Sequence, residues 1–182
     1  MRRTLHTHGG FTLVELIISV GLFATVMLLA SGSYLMMINL NRQTQNIATG
    51  IDNLSFAFET MTRTIRTGSN YSCGIVPGAG DCASGGSAFT FTDENGHTIT
   101  YSLSGTAIQR KDNGVTSDMT DASVSINALT FYTVGSKAAG APGGDLTQAH
   151  VTIVVSGSVS SGGKAPQTFH VETGATMRGS DI

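Results

Sequence analysis

The chain has 182 residues, enough for one folded domain and an N-terminal segment. Its 10 Lys plus Arg stand against 12 Asp plus Glu, a formal net charge of -2, which excludes the basic footprint of a nucleic-acid binder. Only 12% of residues are charged and 23 are glycine, a balance that favours strands and turns over solvated helices.

In chain order, residues 1–10 form a short basic leader with Arg2 and Arg3, ending in Gly9-Gly10. Phe11-Thr12-Leu13-Val14-Glu15 follows, and no charged residue then occurs through the 23 positions from Leu16 to Ile38. About 20 apolar residues suffice to cross a bilayer. The two arginines upstream keep the N-terminus cytoplasmic by the positive-inside rule. Glu15 is out of place for a simple anchor, because an unpaired carboxylate at membrane depth costs about 2.5–3.5 kcal/mol even on the lenient insertion scale. No cation lies between Arg3 and Arg42, so the expected partner comes from elsewhere.

Gly10, Phe11, Thr12, Leu13, Val14 and Glu15, followed by the apolar run, resemble the class III leader of type IV prepilins and type II secretion pseudopilins. The resemblance implies that prepilin peptidase cuts between Gly10 and Phe11 and that the new Phe11 amine is methylated. It implies that Glu15 neutralises the N-terminal amine of a neighbouring subunit, a group mostly charged at neutral pH with a pKa of about 8. The implied partners are other pilin or pseudopilin subunits, an inner-membrane assembly platform and the membrane itself. The implied location is a single-pass membrane protein with its C-terminal domain periplasmic or extracellular, entering a filament after assembly. The cut removes Arg2 and Arg3 and takes the charge from -2 to -4 (-2 minus 2). Two rivals stand beside this reading. A secretory signal peptide could be cut after Ala30-Ser31-Gly32, but Glu15 sits at the front of its apolar core and the run continues past Ser33. An uncleaved anchor leaves Glu15 unexplained.

The expected architecture is α+β: a long helix, membrane-spanning in its first half (11–40), amphipathic in its continuation (41–67), packed on an antiparallel sheet domain (68–182). Ile47, Ile51, Leu54, Phe58, Met61 and Ile65 recur at spacings of 4, 3, 4, 3 and 4, one stripe at helical period. Glu59 and Arg63 form a favourable i, i+4 pair. Gly68 is a C′ terminator. A helix from Phe11 to Thr67 would be roughly 85 Å long at about 1.5 Å per residue. Ser31-Gly32-Ser33 marks either close packing through small residues or a soft joint.

Residues 68–87 read as a Gly/Ser/Cys loop. Cys73 and Cys82 lie in it, and an exported compartment permits their disulfide, worth roughly 2.5–3 kcal/mol in the chain-entropy model. Two independent thiols or half a metal site are the alternatives. Strands are expected at 88–92, 98–103, 107–111, 124–126, 129–134, 149–156 and 168–177, with turns at Asp93-Glu94-Asn95-Gly96 and Asp112-Asn113-Gly114. Residues 156–163 read as flexible turn material. The stretches 58–66, 99–114 and 176–178 loosely resemble minor subunits of the J-type pseudopilin and W-type pilin groups.

No nucleophile elbow, P-loop, HExxH or dinucleotide fingerprint occurs, so no enzyme and no cofactor are expected. His6 and His8 lie in the leader, while His97, His150 and His170 read as surface or edge residues. Asp112, Asn113, Asp118 and Asp121 could gather around calcium or simply be solvated loop residues. The preferred reading is a minor pilin or pseudopilin. The alternatives are a tip adhesin that uses the loops near Cys73–Cys82 and Gly135–Gly144, and an enzyme with an unrecognised site.

Overall fold

The computed structural model describes residues 10–76, 78, 80–137, 144, 146–160 and 165–178. The leader residues 1–9, with His6 and His8, Pro77 and residues 138–143 of the second loop lie outside the described residues. The chain divides into two units, Met1–Arg42 and Gln43–Ile182. One helix, α1 (Leu13–Thr67), contributes to both.

The second unit holds nine strands: β1 (Ser69–Cys73), β2 (Cys82–Gly86), β3 (Ala88–Thr92), β4 (Thr98–Ser104), β5 (Ala107–Asp112), β6 (Val115–Asp118), β7 (Val124–Val134), β8 (His150–Val159) and β9 (Gln167–Thr176). They form two antiparallel sheets, ordered β1-β3-β4-β5-β6 and β2-β7-β8-β9. This is the α+β arrangement expected, with the single sheet resolved into two. The segment 68–87 is a correction to the sequence reading: it contains β1 and β2, the edge strands of different sheets. The glycine-rich β2 has little side-chain periodicity to read. The 124–126 and 129–134 strands are one strand, β7, with an irregular register between Ile126 and Ala128. β8 runs on to Val159, into the stretch read as turn, because Val155, Gly157 and Val159 keep the alternation of buried positions.

The core explains the alternation. Phe89 and Phe91 of β3, Tyr101 of β4, Phe131 of β7 and Tyr71 of β1 form one aromatic cluster, with ring centroids 5.5–6.2 Å apart. Such spacings add to the area that each ring removes from water. Val151, Ile153 and Val155 of β8 complete the floor. The described part of α1 within this unit buries Gly50, Leu54, Ala57, Met61 and Ile65. The apolar stripe is therefore rotated from the expected one, with Gly50 and Ala57 on the buried line and Ile51 51% exposed. Small residues win there because the helix comes close: a Cβ on Gly50 would lie 2.3 Å from Val159 Cγ1.

Gly68 ends the helix for a different reason than a left-handed cap. It is not among the glycines of positive φ; its missing Cβ makes room for Phe91, whose Cδ2 would be 2.4 Å away. The Ile65 and Arg66 carbonyls near the end of α1 find partners beyond the helix. The Gly68 amide and the Tyr71 hydroxyl donate to Ile65 O, and the Arg178 amide donates to Arg66 O at 2.8 Å. Glu59 and Arg63 make no ion pair; among the described residues Asp112 pairs with Arg110 at 2.8 Å and lies 3.3 Å from His97 Nδ1.

The two Asn-Gly turns differ. Asn113 (φ 49) and Gly114 (φ 95) are both left-handed, the two-residue connection that joins Asp112 to Val115 and starts β6, a strand missed in the sequence. At Asn95-Gly96 only Gly96 is left-handed. Asp93 organises that wider loop, its carboxylate accepting the amides of Asn95 (2.9 Å) and His97 (2.7 Å).

Candidate functional site

The first unit is built around the start of α1. Gly10, Phe11 and Thr12 precede the helix, which begins at Leu13. Thr12 is its N-cap: its carbonyl accepts the Leu16 amide at 3.2 Å and its Oγ1 accepts the Glu15 amide at 3.3 Å. Thr12-Leu13-Val14-Glu15 is thus the Thr-x-x-Glu spacing of a capping box, a signal that sequence reasoning passed over. Glu15 stands in the first turn, where a carboxylate meets the positive end of the helix dipole. The peptide bond between Gly10 and Phe11 lies outside the helix, and Phe11 is 82% exposed.

From Leu13 to Met37 the large apolar side chains are exposed, and the segment's mean hydropathy reaches 2.4 over an 18-residue window. This is a helix long and apolar enough to cross a membrane. Its serine and threonine hydroxyls bond within the helix. Ser19, Thr25, Ser31 and Ser33 each donate to the carbonyl four residues back, at 2.7–3.0 Å. No donor on these side chains then requires water, which suits a helix surrounded by lipid or by apolar helices. The helix is continuous through Ser31-Gly32-Ser33.

Cys73 and Cys82 are joined by a disulfide, with Cα atoms 5.9 Å apart. Because Cys73 ends β1 and Cys82 begins β2, the bond ties one sheet to the other. It also closes the loop 74–81, whose Ile75 and Val76 are exposed. Asp81 at its end accepts the amides of Gly135 (3.2 Å) and Ser136 (2.7 Å), so the two loops singled out in the sequence meet. Burial raises the Asp81 pKa, but the nearby Ser136 hydroxyl, the Ser136 and Gly135 amides and the Lys137 charge outweigh it and hold it below the ordinary value.

The other candidate residues are dispersed and locally used. Asp118 accepts from Gln109 Nε2 at 2.7 Å, and Asp121 from the Ser123 amide at 2.7 Å. Among the described residues, no three His, Cys, Asp or Glu side chains gather to hold a metal. His150 Nδ1 lies 2.9 Å from Thr176 Oγ1, and His170 is exposed on β9.

No curated protein and no solved structure matches the chain. A family model does: residues 5–31 match the prokaryotic N-terminal methylation motif. The matched stretch contains Gly10, Phe11, Thr12 and Glu15, the residues around the exposed peptide bond and the helix cap. The chain carries the N-terminal methylation motif at the head of an apolar helix and, in sequence, ahead of an antiparallel sheet domain.

Proposed function

We propose that the chain is a minor pilin or pseudopilin, cut after Gly10 by prepilin peptidase, methylated at Phe11 and assembled through residues 11–40 into a type IV pilus or a secretion or DNA-uptake pseudopilus. The observation that carries the reading is Glu15 in the first turn of an exposed apolar helix, four residues after the motif's Gly10-Phe11 junction. A carboxylate there needs a cation, and the amine released on a neighbouring subunit is one. The non-helical, exposed junction suits a peptidase, which requires an accessible backbone. The chain's role in this reading is structural, with energy for assembly supplied by a separate ATPase. Its anchored form has a cytoplasmic N-terminus and a sheet domain outside the inner membrane. The minor rank rests on the loose J-type and W-type resemblance of the later stretches.

Intact-mass analysis of membrane-extracted protein tests the processing. The expected product is a 172-residue chain (182 minus 10) with a methylated Phe11. A mature N-terminus at Ser33 would instead establish an ordinary signal peptide. Filaments composed chiefly of this chain would overturn the minor rank and leave the pilin reading standing. The tip-adhesin alternative draws support from the loop pair held by Asp81 and the disulfide, and a binding assay with the second unit separates it from a purely structural role.

A further inference from the structure

Asn-Gly occurs twice in the chain, at Asn95-Gly96 and Asn113-Gly114. Asparagine is a labile side chain. It is most labile before glycine, where no Cβ hinders attack by the following backbone nitrogen on the side-chain carbonyl carbon. The fold treats the two pairs differently.

At the first pair the reacting groups are held. The Gly96 amide, the attacking nitrogen, donates to Asp93 O at 3.1 Å. The Asn95 amide donates to Asp93 Oδ1 at 2.9 Å, and Asn95 Nδ2, the leaving nitrogen, lies 3.4 Å from Asp93 Oδ2. At the second pair Asn113 and Gly114 are exposed, and nothing lies within 4 Å of where a Gly114 Cβ would stand. The Asn113 amide is anchored to Thr98 O at 3.2 Å, but among the described residues neither the Asn113 carboxamide nor the Gly114 amide has a hydrogen-bond partner. Asn113 is also held at φ 49, a region costly for a residue with a side chain. The strand that follows, β6, lies at the sheet edge and has four exposed residues. Rotation about Asn113 that brings the Gly114 nitrogen to Cγ therefore disturbs no core packing.

We propose that Asn113 is a site of spontaneous deamidation, while Asp93 keeps Asn95 intact. The Gly114 nitrogen gives up its proton and bonds to Asn113 Cγ; the Cγ–Nδ2 bond breaks and ammonia leaves. Water then opens the cyclic imide. Attack at Cγ gives an aspartyl residue, and attack at the main-chain carbonyl carbon gives an isoaspartyl residue. The net change is asparagine plus water to acid plus ammonia. The aspartyl product keeps the hairpin, because aspartate tolerates the left-handed conformation as asparagine does; it adds a negative charge next to Asp112. The isoaspartyl product carries the main chain through Cβ and lengthens the turn. The Asp112–Val115 register is then lost and β6 is released from β5. This inference uses the second unit only and stands whether or not the N-terminus is cut after Gly10.

The test incubates the full chain in lipid nanodiscs at mildly alkaline pH, where the amide proton is lost more readily. Peptide mapping by mass spectrometry follows the amide-to-acid conversion at both sites and separates aspartyl from isoaspartyl peptides. Conversion at Asn113 should run about tenfold faster than at Asn95, whose reacting groups must first leave their hydrogen bonds. In concentrated urea the two rates should converge. Asp93→Ala should raise the Asn95 rate in the folded chain, with unchanged hydrogen exchange in β3 and β4 showing that the sheet is intact. Chains bearing isoaspartate should lose amide protection in β6 and keep it in β4. Equal rates in the folded chain, no conversion at Asn113, an Asn95 rate insensitive to Asp93→Ala, or β6 protection unchanged by isoaspartate would each overturn the proposal.

Discussion

The contact between Gly50 and Val159 gives a quantitative test of how closely the amphipathic half of α1 sits on the second sheet. Gly50→Ala improves helix propensity by about 1 kcal/mol. It also puts a Cβ 2.3 Å from Val159 Cγ1 and 3.3 Å from Cγ2, against a side chain that is 3% exposed and stiff at χ1. Overpacking of this kind costs about 1–3 kcal/mol, so the single substitution should destabilise by roughly 0–2 kcal/mol despite the better helix former. Val159→Ala alone removes two buried carbons at about 0.8 kcal/mol each, plus a cavity term. In the double variant the new methyl occupies the vacated space and the propensity gain is retained. Gly50→Ala should therefore stabilise by about 1 kcal/mol in the Val159→Ala background, opposite in sign to its effect in the native one. Urea denaturation of the second unit in all four forms measures the cycle, with an expected coupling of about 1–3 kcal/mol. Additivity within about 0.5 kcal/mol would refute the close approach.

Three further outcomes follow from the two units. Glu15→Ala should be exported and cut but should assemble poorly, with the sheet domain's circular dichroism unchanged; normal incorporation into filaments would remove the pairing account of this carboxylate. Replacing both Cys73 and Cys82 with serine should lower stability by roughly 2–3 kcal/mol on the chain-entropy model, read as a shifted urea midpoint, and should speed hydrogen exchange first in β1 and β2, which the bond connects. Asp81 has a depressed pKa in the folded chain, so its contribution is present above its ordinary value of 3.8 and is lost as pH falls through the lower folded value. Protection of the Gly135 and Ser136 amides, taken relative to the intrinsic exchange rate at each pH, should fall only below about pH 4, and Asp81→Asn should remove that dependence, while protection unchanged by acid in the native chain would contradict this account.

Much of the site was legible because its signals are local. A charge-free run of apolar residues can be read without knowing any neighbour, and so can a glycine-phenylalanine junction and a carboxylate at a fixed distance from it. The capping relation of Thr12 to Glu15 is legible in the same way, as a Thr-x-x-Glu spacing within four residues. β4, β7 and β8 announced themselves through alternation, because half of each strand faces the core; β3 has the same Phe-Thr alternation although four of its five residues are buried.

What the sequence by itself determined was the apolar N-terminal helix with its methylation motif, the α+β class and the position of most strands. Each depends on composition and periodicity within a few consecutive residues. The tertiary structure decided the rest. It divided the strands into two sheets and made strands of the glycine-rich stretches that form β2. It also turned the helix so that Gly50 and Ala57, rather than Ile51, face the sheet. Pairing across long loops is governed by which backbone edges and side-chain volumes fit together, and no periodicity encodes the distance between two chain segments. For the same reason the cysteine spacing could suggest a bond but not its effect. Only the fold placed Cys73 and Cys82 on different sheets, so that a nine-residue separation became the covalent tie between them.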